Sequence, residues 1–227
     1  MLRVSTGARY ARRITSGETL PGISGLESMS RSVATVVLAS ALVLLAMGGT
    51  ASAGYDHLLA PTTECGRSQQ TSPKLSADKQ EAVMRCMHNY ARKKVGKGPL
   101  AAQSKLTTSA GNKAVDVQKC RDADYNRNPH DCGPGNTWYH IGRAGYCYSA
   151  AGENVARGWG SPEDYAPTVR ETMSGWLNSE THRENILGQT SISSRFTQIG
   201  IGLVKGPVQG HTHGRTWAVH FARPKGC

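Results

Sequence analysis

The sequence predicts an α+β fold, with helices layered against a C-terminal antiparallel sheet in an exported, disulfide-stabilised domain. Three observations predict it. Apolar residues recur at helical spacing in segments between Ser76 and Ile186. Two alternating segments, Gln198–Leu203 and Thr216–Phe221, close the chain. All six cysteines (Cys65, Cys86, Cys120, Cys132, Cys147 and Cys227) follow an N-terminal export signal.

The signal comes first in the chain. From Ser32 to Ala53 there is no charge, Val33–Met47 is almost wholly apolar, and Arg31 stands just ahead. Ala51-Ser52-Ala53 supplies a small-x-small cleavage pattern. The apolar run falls short of the roughly 20 residues that span a bilayer. Cleavage is therefore expected after Ala53, leaving no stable membrane span and a secreted, extracellular domain. A signal starting at Met29 has ordinary length, so residues 1–28 read as a start-site extension, with a long n-region as the alternative. Residues 54–75, polar and carrying Pro61 and Pro73, read as an extended leader. Residues 76–227 read as one domain.

Ser76 opens a helix whose face carries Val83, Met87 and Tyr90, and Gly96 stops it. A second helix is expected over Ser104–Lys119, with Leu106, Ala110, Ala114 and Val117 as its stripe. Residues 120–150, rich in Gly, Pro and Asn, read as a long loop tied by disulfides. Ser161 and Pro162, followed by two acids, make a cap for a third helix carrying Ala166, Val169, Met173, Trp176 and Leu177. Ser179 caps a short helix through His182 to Ile186. Gly206, Pro207, Gly210 and Gly214 imply a long hairpin loop before the last strand, with His211-Thr212-His213 inside it. Trp176 and Trp217 sit on apolar stripes and read as core.

An even cysteine count in an exported chain argues for three disulfides, although spacing leaves 15 pairings open. Cys120 and Cys132 are natural partners across the loop. The working set adds Cys65–Cys86 and Cys147–Cys227. No C-x-x-C is present, which argues against a zinc ribbon or a thioredoxin-like site. Without residues 1–53 the chain keeps 22 basic and 14 acidic side chains, a net of +8. That balance favours anionic cell-wall polymer, lipid or another surface ligand. The basic residues form no long block, so specific nucleic-acid binding is not indicated. No interface signature sets an oligomeric state.

Three segments carry a resemblance. Gly152-Glu153-Asn154-Val155-Ala156 is similar to a GEN(I/L)A motif. Trp176-Leu177-Asn178-Ser179 with His182-Arg183 and Asn185-Ile186-Leu187 is similar to W-x-N-S-x-x-H-R-x-N-I-L. Phe196-Thr197-Gln198-Ile199-Gly200-Ile201-Gly202 is similar to a third signature. In this order they resemble the CAP superfamily: cysteine-rich secretory proteins, antigen 5 and pathogenesis-related proteins, here the bacterial SCP-like extracellular kind. The resemblance covers roughly Ser76 to Phe221. It implies a three-layer α-β-α sandwich with a central antiparallel sheet.

It also implies a cleft where His and Glu side chains converge, in some members on a divalent metal. Glu153 matches the GEN glutamate, and His130 resembles the preceding histidine. The family's second acid falls on Ser179, next to Glu180, and its last histidine falls on Arg195. His182 belongs to the bacterial pattern and is a candidate for the cleft. His130, Glu153 and His182 would suit zinc or calcium with an open position for water. Arg195 cannot ligate a cation and would attract an anion instead. Asn154, Arg183 and Asn185 read as structural, through side chain-to-backbone bonds. His140, His211, His213 and His220 lack mutual metal spacing.

Two functions follow. One is an extracellular binding or interaction module whose polar cleft is lined by His130, Glu153, His182 and Arg195. The other is a metal-dependent, protease-like hydrolase in which Glu153 is a ligand or the catalytic base. A structural domain with a vestigial cleft is a third reading. The chain has no G-x-S-x-G elbow, H-E-x-x-H or P-loop, and with all cysteines paired it offers no catalytic thiol.

Overall fold

The structure, a computed structural model, describes residues 54–124, 126–136, 138–159, 167–208 and 210–227. The export signal and start-site extension expected over 1–53, and the Ser161–Asp164 cap, lie outside these residues. No helix among the described residues is long and apolar enough to cross a membrane.

The order of elements is α1 (Ala77–Lys94), β1 (Ala101–Ala102), α2 (Ser104–Ala123), α3 (Tyr139–Arg143), β2 (Tyr148–Gly158), α4 (Val169–Leu177), α5 (Glu180–Leu187), β3 (Gln198–Val208) and β4 (His211–Pro224). The sheet runs β1-β3-β4-β2. It is mixed rather than antiparallel throughout, because the two-residue β1 pairs parallel to β3. The other two ladders are antiparallel.

Alternation along the strands makes the layers. Ile199, Ile201 and Leu203 of β3 and Trp217, Val219 and Phe221 of β4 point to one face. There they pack with Val83, Met84, Met87 and Ala91 of α1, Met173 and Trp176 of α4, and Ile186 of α5. On the other face Ala218 and Val155 meet Ala110, Ala114 and Val117 of α2. The result is the expected α-β-α sandwich.

α2 lies almost on the sheet. A Cβ on Gly200 would fall inside the backbone of Leu106–Thr107, and one on Gly202 inside that of Ala110–Gly111. Both glycines are there because the helix backbone occupies the space a side chain would need.

Several boundaries differ from expectation. The supposed extended leader forms two 3-10 turns, Tyr55–Leu58 and Arg67–Thr71. It buries Leu58, Leu59 and Ala60 in the main core, because Cys65–Cys86 ties it to α1. The stretch read as loop is partly ordered: α2 runs on to Ala123, a 3-10 turn covers Pro129–Asp131, α3 follows, and β2 starts at Tyr148. The hairpin loop is short: the strands run on through Gly206 paired with Gly214, so His211-Thr212-His213 lie in β4. α4 starts at Val169 under a capping box of Thr168 and Glu171. α1 ends with Gly96 at φ 71°, where Lys97 N–H donates to Arg92 O and Gly96 N–H to Lys93 O.

The disulfides are Cys65–Cys86, Cys120–Cys132 and Cys147–Cys227, the three pairs named above.

The packing can be tested at two places. Gly202→Ala forces α2 off the sheet and should cost on the order of 3 kcal/mol or more, read as a drop in the urea midpoint at unchanged slope. The other place is His88, fully buried against Trp176 and Phe221 with Nε2 unpartnered. Burial pushes its pKa down to about 4, outweighing the bond to Met84 O. The unfolded chain then takes a proton near pH 6.5 that the folded chain refuses until about 4. Stability should be full above 6.5, fall by about 3 kcal/mol as pH drops, and level off near 4. His88→Leu should flatten that part of the profile in denaturation series at successive pH values.

Candidate functional site

The site forms between α2 and the sheet, where every contributor is placed by a regular element or a staple. Register sets Glu153 of β2 directly across from His220 of β4. Both point to the α2 face, with Val155 and Ala218. Ser109 and Lys113, one turn apart on α2, point down at them. His130 arrives on the 3-10 turn Pro129–Asp131, which Asn128 caps by accepting from His130 N–H. The Cys120–Cys132 bond anchors that turn to the end of α2.

The side chains form one chain of hydrogen bonds. His130 Nδ1 lies 2.7 Å from Glu153 Oε1, and His220 Nε2 lies 2.8 Å from Oε2. The far nitrogen of His220 lies 2.7 Å from Ser109 Oγ. Since an ionised carboxylate only accepts, both imidazoles donate to it; the neutral form of His220 then accepts at Nδ1 from the Ser109 hydroxyl, and the charged form donates to it. Lys113 Nζ stands 3.9 Å from Glu153 Oε1 and donates to the carbonyls of His130 and Cys132. Beside it, His140 Nε2 lies 2.9 Å from Asp116 Oδ2.

Burial is nearly complete. The Glu153 and Lys113 side chains are each 1% exposed and His220 is fully buried, whereas His130 is 20% exposed. Burial alone would raise the Glu153 pKa. The bonds from His130 and His220, with the charges of His220 and Lys113, overcome it and hold the group down at about 2. Burial lowers the Lys113 pKa, opposed by Glu153, Asp116 and Asp131.

Sequence-expected residues divide between two faces of the edge strand β2. Glu153 and His130 meet, 2.7 Å apart. His182 does not join them: Asn154, turned to the opposite face, donates to the His182 carbonyl, and His182 Nδ1 lies 2.8 Å from Ser179 Oγ. Burial, with the nearby charge of His130, lowers the His182 pKa to about 4. Arg195 is exposed on the 3-10 turn Ser193–Arg195 and makes no hydrogen bond to the network. Asn154, Arg183 and Asn185 make the expected bonds, to the carbonyls of His182, Leu177 and Glu153 respectively. The residues missed were His220, Ser109 and Lys113. His220 had a signal: it breaks the apolar stripe of a central strand, and a buried polar side chain there needs a partner.

The arrangement constrains the chemistry. Ser109, His220 and Glu153 have the connectivity of a nucleophile–base–acid relay, but Ser109 is fully buried and meets no solvent. Glu153, expected as a candidate base, is a poor one at a pKa near 2 with both oxygens engaged. A divalent metal does not fit the residues as placed. Among the described residues no three His, Cys, Asp or Glu side chains group to hold one. The carboxylate oxygens already face imidazole nitrogens, and an ammonium stands beside them.

A disulfide-bonded α-β-α sandwich with a GEN motif on its edge strand is the architecture of one family of domains. The chain belongs to the cysteine-rich secretory protein (CAP) family, whose profile matches residues 86–221. It is 32% identical over 146 residues to the uncharacterized protein YkwD of Bacillus subtilis (strain 168), covering 64% of this chain and 51% of that one. The chain thus spans about half the length of that relative. Among solved structures, an extracellular protein containing a SCP domain from Bacillus anthracis str. Ames is 24% identical, with a TM-score of 0.45 over 67% of this chain and 45% of that one. An outer surface protein from Borrelia burgdorferi is 16% identical, with a TM-score of 0.52 over 66% of this chain and 97% of its own. The Borrelia match is a likeness of fold.

Removing the acid tests the network. Glu153→Gln takes from buried Lys113 the carboxylate that acts on it most strongly, leaving only the weaker pull of Asp116 and Asp131, and should cost up to about 3–5 kcal/mol. Adding Lys113→Met should recover part of the loss. A double-mutant cycle by urea denaturation measures both; additive losses would mean the two charges are not coupled.

Proposed function

We propose that this chain is a secreted CAP-domain protein acting outside the cell as a binding or interaction module for anionic wall or lipid ligands. The observation that carries this reading is the closure of the His–Glu network. Its acid is saturated by donors, its hydroxyl is fully buried, and His130 is its most exposed member. Such a network suits holding a surface in shape better than turning over a substrate. Three disulfides support a location outside the reducing cytosol. The net charge of +8 beyond residue 53 supports an anionic ligand. Exposed Arg195, where the family pattern has a histidine, is the first residue to test.

The test is co-sedimentation of residues 54–227 with phosphate-bearing wall polymer and, separately, with phosphatidylglycerol vesicles. Binding should weaken with salt, and Arg195→Ala should weaken it at least threefold. Unchanged binding by that variant would remove Arg195 from the ligand surface. Peptide or ester hydrolysis abolished by Glu153→Gln would favour the enzyme reading instead.

A further inference from the structure

We propose that Lys113 is the resident cation of the His–Glu site, standing where a divalent metal would otherwise balance Glu153 and making the site metal-independent. Three observations carry the assignment.

The first is charge. Glu153 is a buried carboxylate whose imidazole neighbours supply N–H donors, not a permanent positive charge. Lys113 supplies one, 3.9 Å from Oε1, from a side chain equally withdrawn from solvent. A buried carboxylate needs such a partner.

The second is coordination. The Lys113 ammonium donates to two backbone carbonyls, His130 O at 2.9 Å and Cys132 O at 2.8 Å. Backbone carbonyls and a carboxylate oxygen around one cation make an oxygen-rich pocket of the kind hard cations occupy. Here the side chain fills it from within, and it is tethered to α2.

The third is the imidazoles. His130 Nδ1 and His220 Nε2 both present N–H to Glu153, and a nitrogen carrying hydrogen cannot ligate. A metal seated between those two nitrogens and the Glu153 carboxylate would have to strip both protons and displace Lys113 together. An ammonium asks for neither change. The ammonium also joins α2 to the turn that carries His130, so the geometry of the site is set when the chain folds, independently of metal supply.

The consequence is specific. The wild-type chain should take up no zinc at this site, and removing the ammonium should open one built on His130, Glu153 and His220. Residues 54–227, purified oxidised and treated with chelator, are titrated with zinc chloride by calorimetry in three forms: wild type, Lys113→Met, and Lys113→Met with His130→Ala. The expected result is one equivalent of zinc in Lys113→Met, bound at least tenfold more tightly than by wild type, and lost in the double variant. Imidazole nitrogen NMR of the wild type adds a second readout: the His130 and His220 resonances should stay put on adding zinc. One equivalent bound by wild type, with those resonances shifted and the binding lost in His130→Ala, would overturn the assignment. So would a folded Lys113→Met that binds no zinc. If Lys113→Met does not fold, the wild-type titration and its NMR decide alone, since zinc-shifted imidazoles there contradict the proposal and unshifted ones uphold it. Failure here would leave surface binding to anionic polymer intact, because that is read by Arg195 and sedimentation.

Discussion

The seat of α2 on two glycines governs the rest of the molecule. Gly200 and Gly202 let helix backbone rest directly on strand backbone, which fixes the height of the helix over the sheet. Ser109, Lys113 and Asp116 ride on that helix, and the bonds they make or support are 2.7–2.9 Å long. Hydrogen bonds of that length tolerate shifts of only a few tenths of an ångström. A methyl group at either glycine would therefore be felt first as strain in packing and then as loss of the polar network beneath the helix.

Burying a carboxylate and an ammonium together is costly, and an apolar replacement of the same volume is often no less stable. What the ionic pair contributes here is position. Glu153 can sit in that space only if His130, His220 and Lys113 all face it, so the register of β2 on β4, the rotation of α2 and the docking of the 128–132 turn are specified at once. The Cys120–Cys132 bond acts on the same turn from its other side. The site is thus held by the same contacts that define the fold.

The layers were legible in the sequence because their signals are periodic. α1, α2 and the β3–β4 alternation follow the apolar stripes read from residues 76–119 and 198–221. β2 was not legible. Its residues, Tyr148–Gly158, are mostly small or polar, and an edge strand of Ala, Gly, Glu and Asn shows none of the branched alternation that marks a strand. The site was half legible for a related reason. Motif neighbours such as Glu153 and Asn154 diverge to opposite faces of one strand, and His182, a cleft candidate from the second motif, lies with Asn154 and not with Glu153. His220 and Lys113 lie far from Glu153 along the chain, and only the pairing of β2 with β4 and the seat of α2 bring them to it. Arg195, read as a departure from the family pattern, is exposed to solvent and makes no bond to the network.

The disulfide between Cys147 and Cys227 has a mechanical meaning. It closes the last stretch of chain into a covalent ring that contains β2, β3 and β4 entire. If the protein were pulled between Gly54 and its C-terminus, tension would cross from Cys147 to Cys227 through sulfur and bypass the hairpin. The two shorter rings, at Cys65–Cys86 and Cys120–Cys132, remove further slack in the same way. Under load the three antiparallel strands would be passengers, and only the segments between the rings would extend.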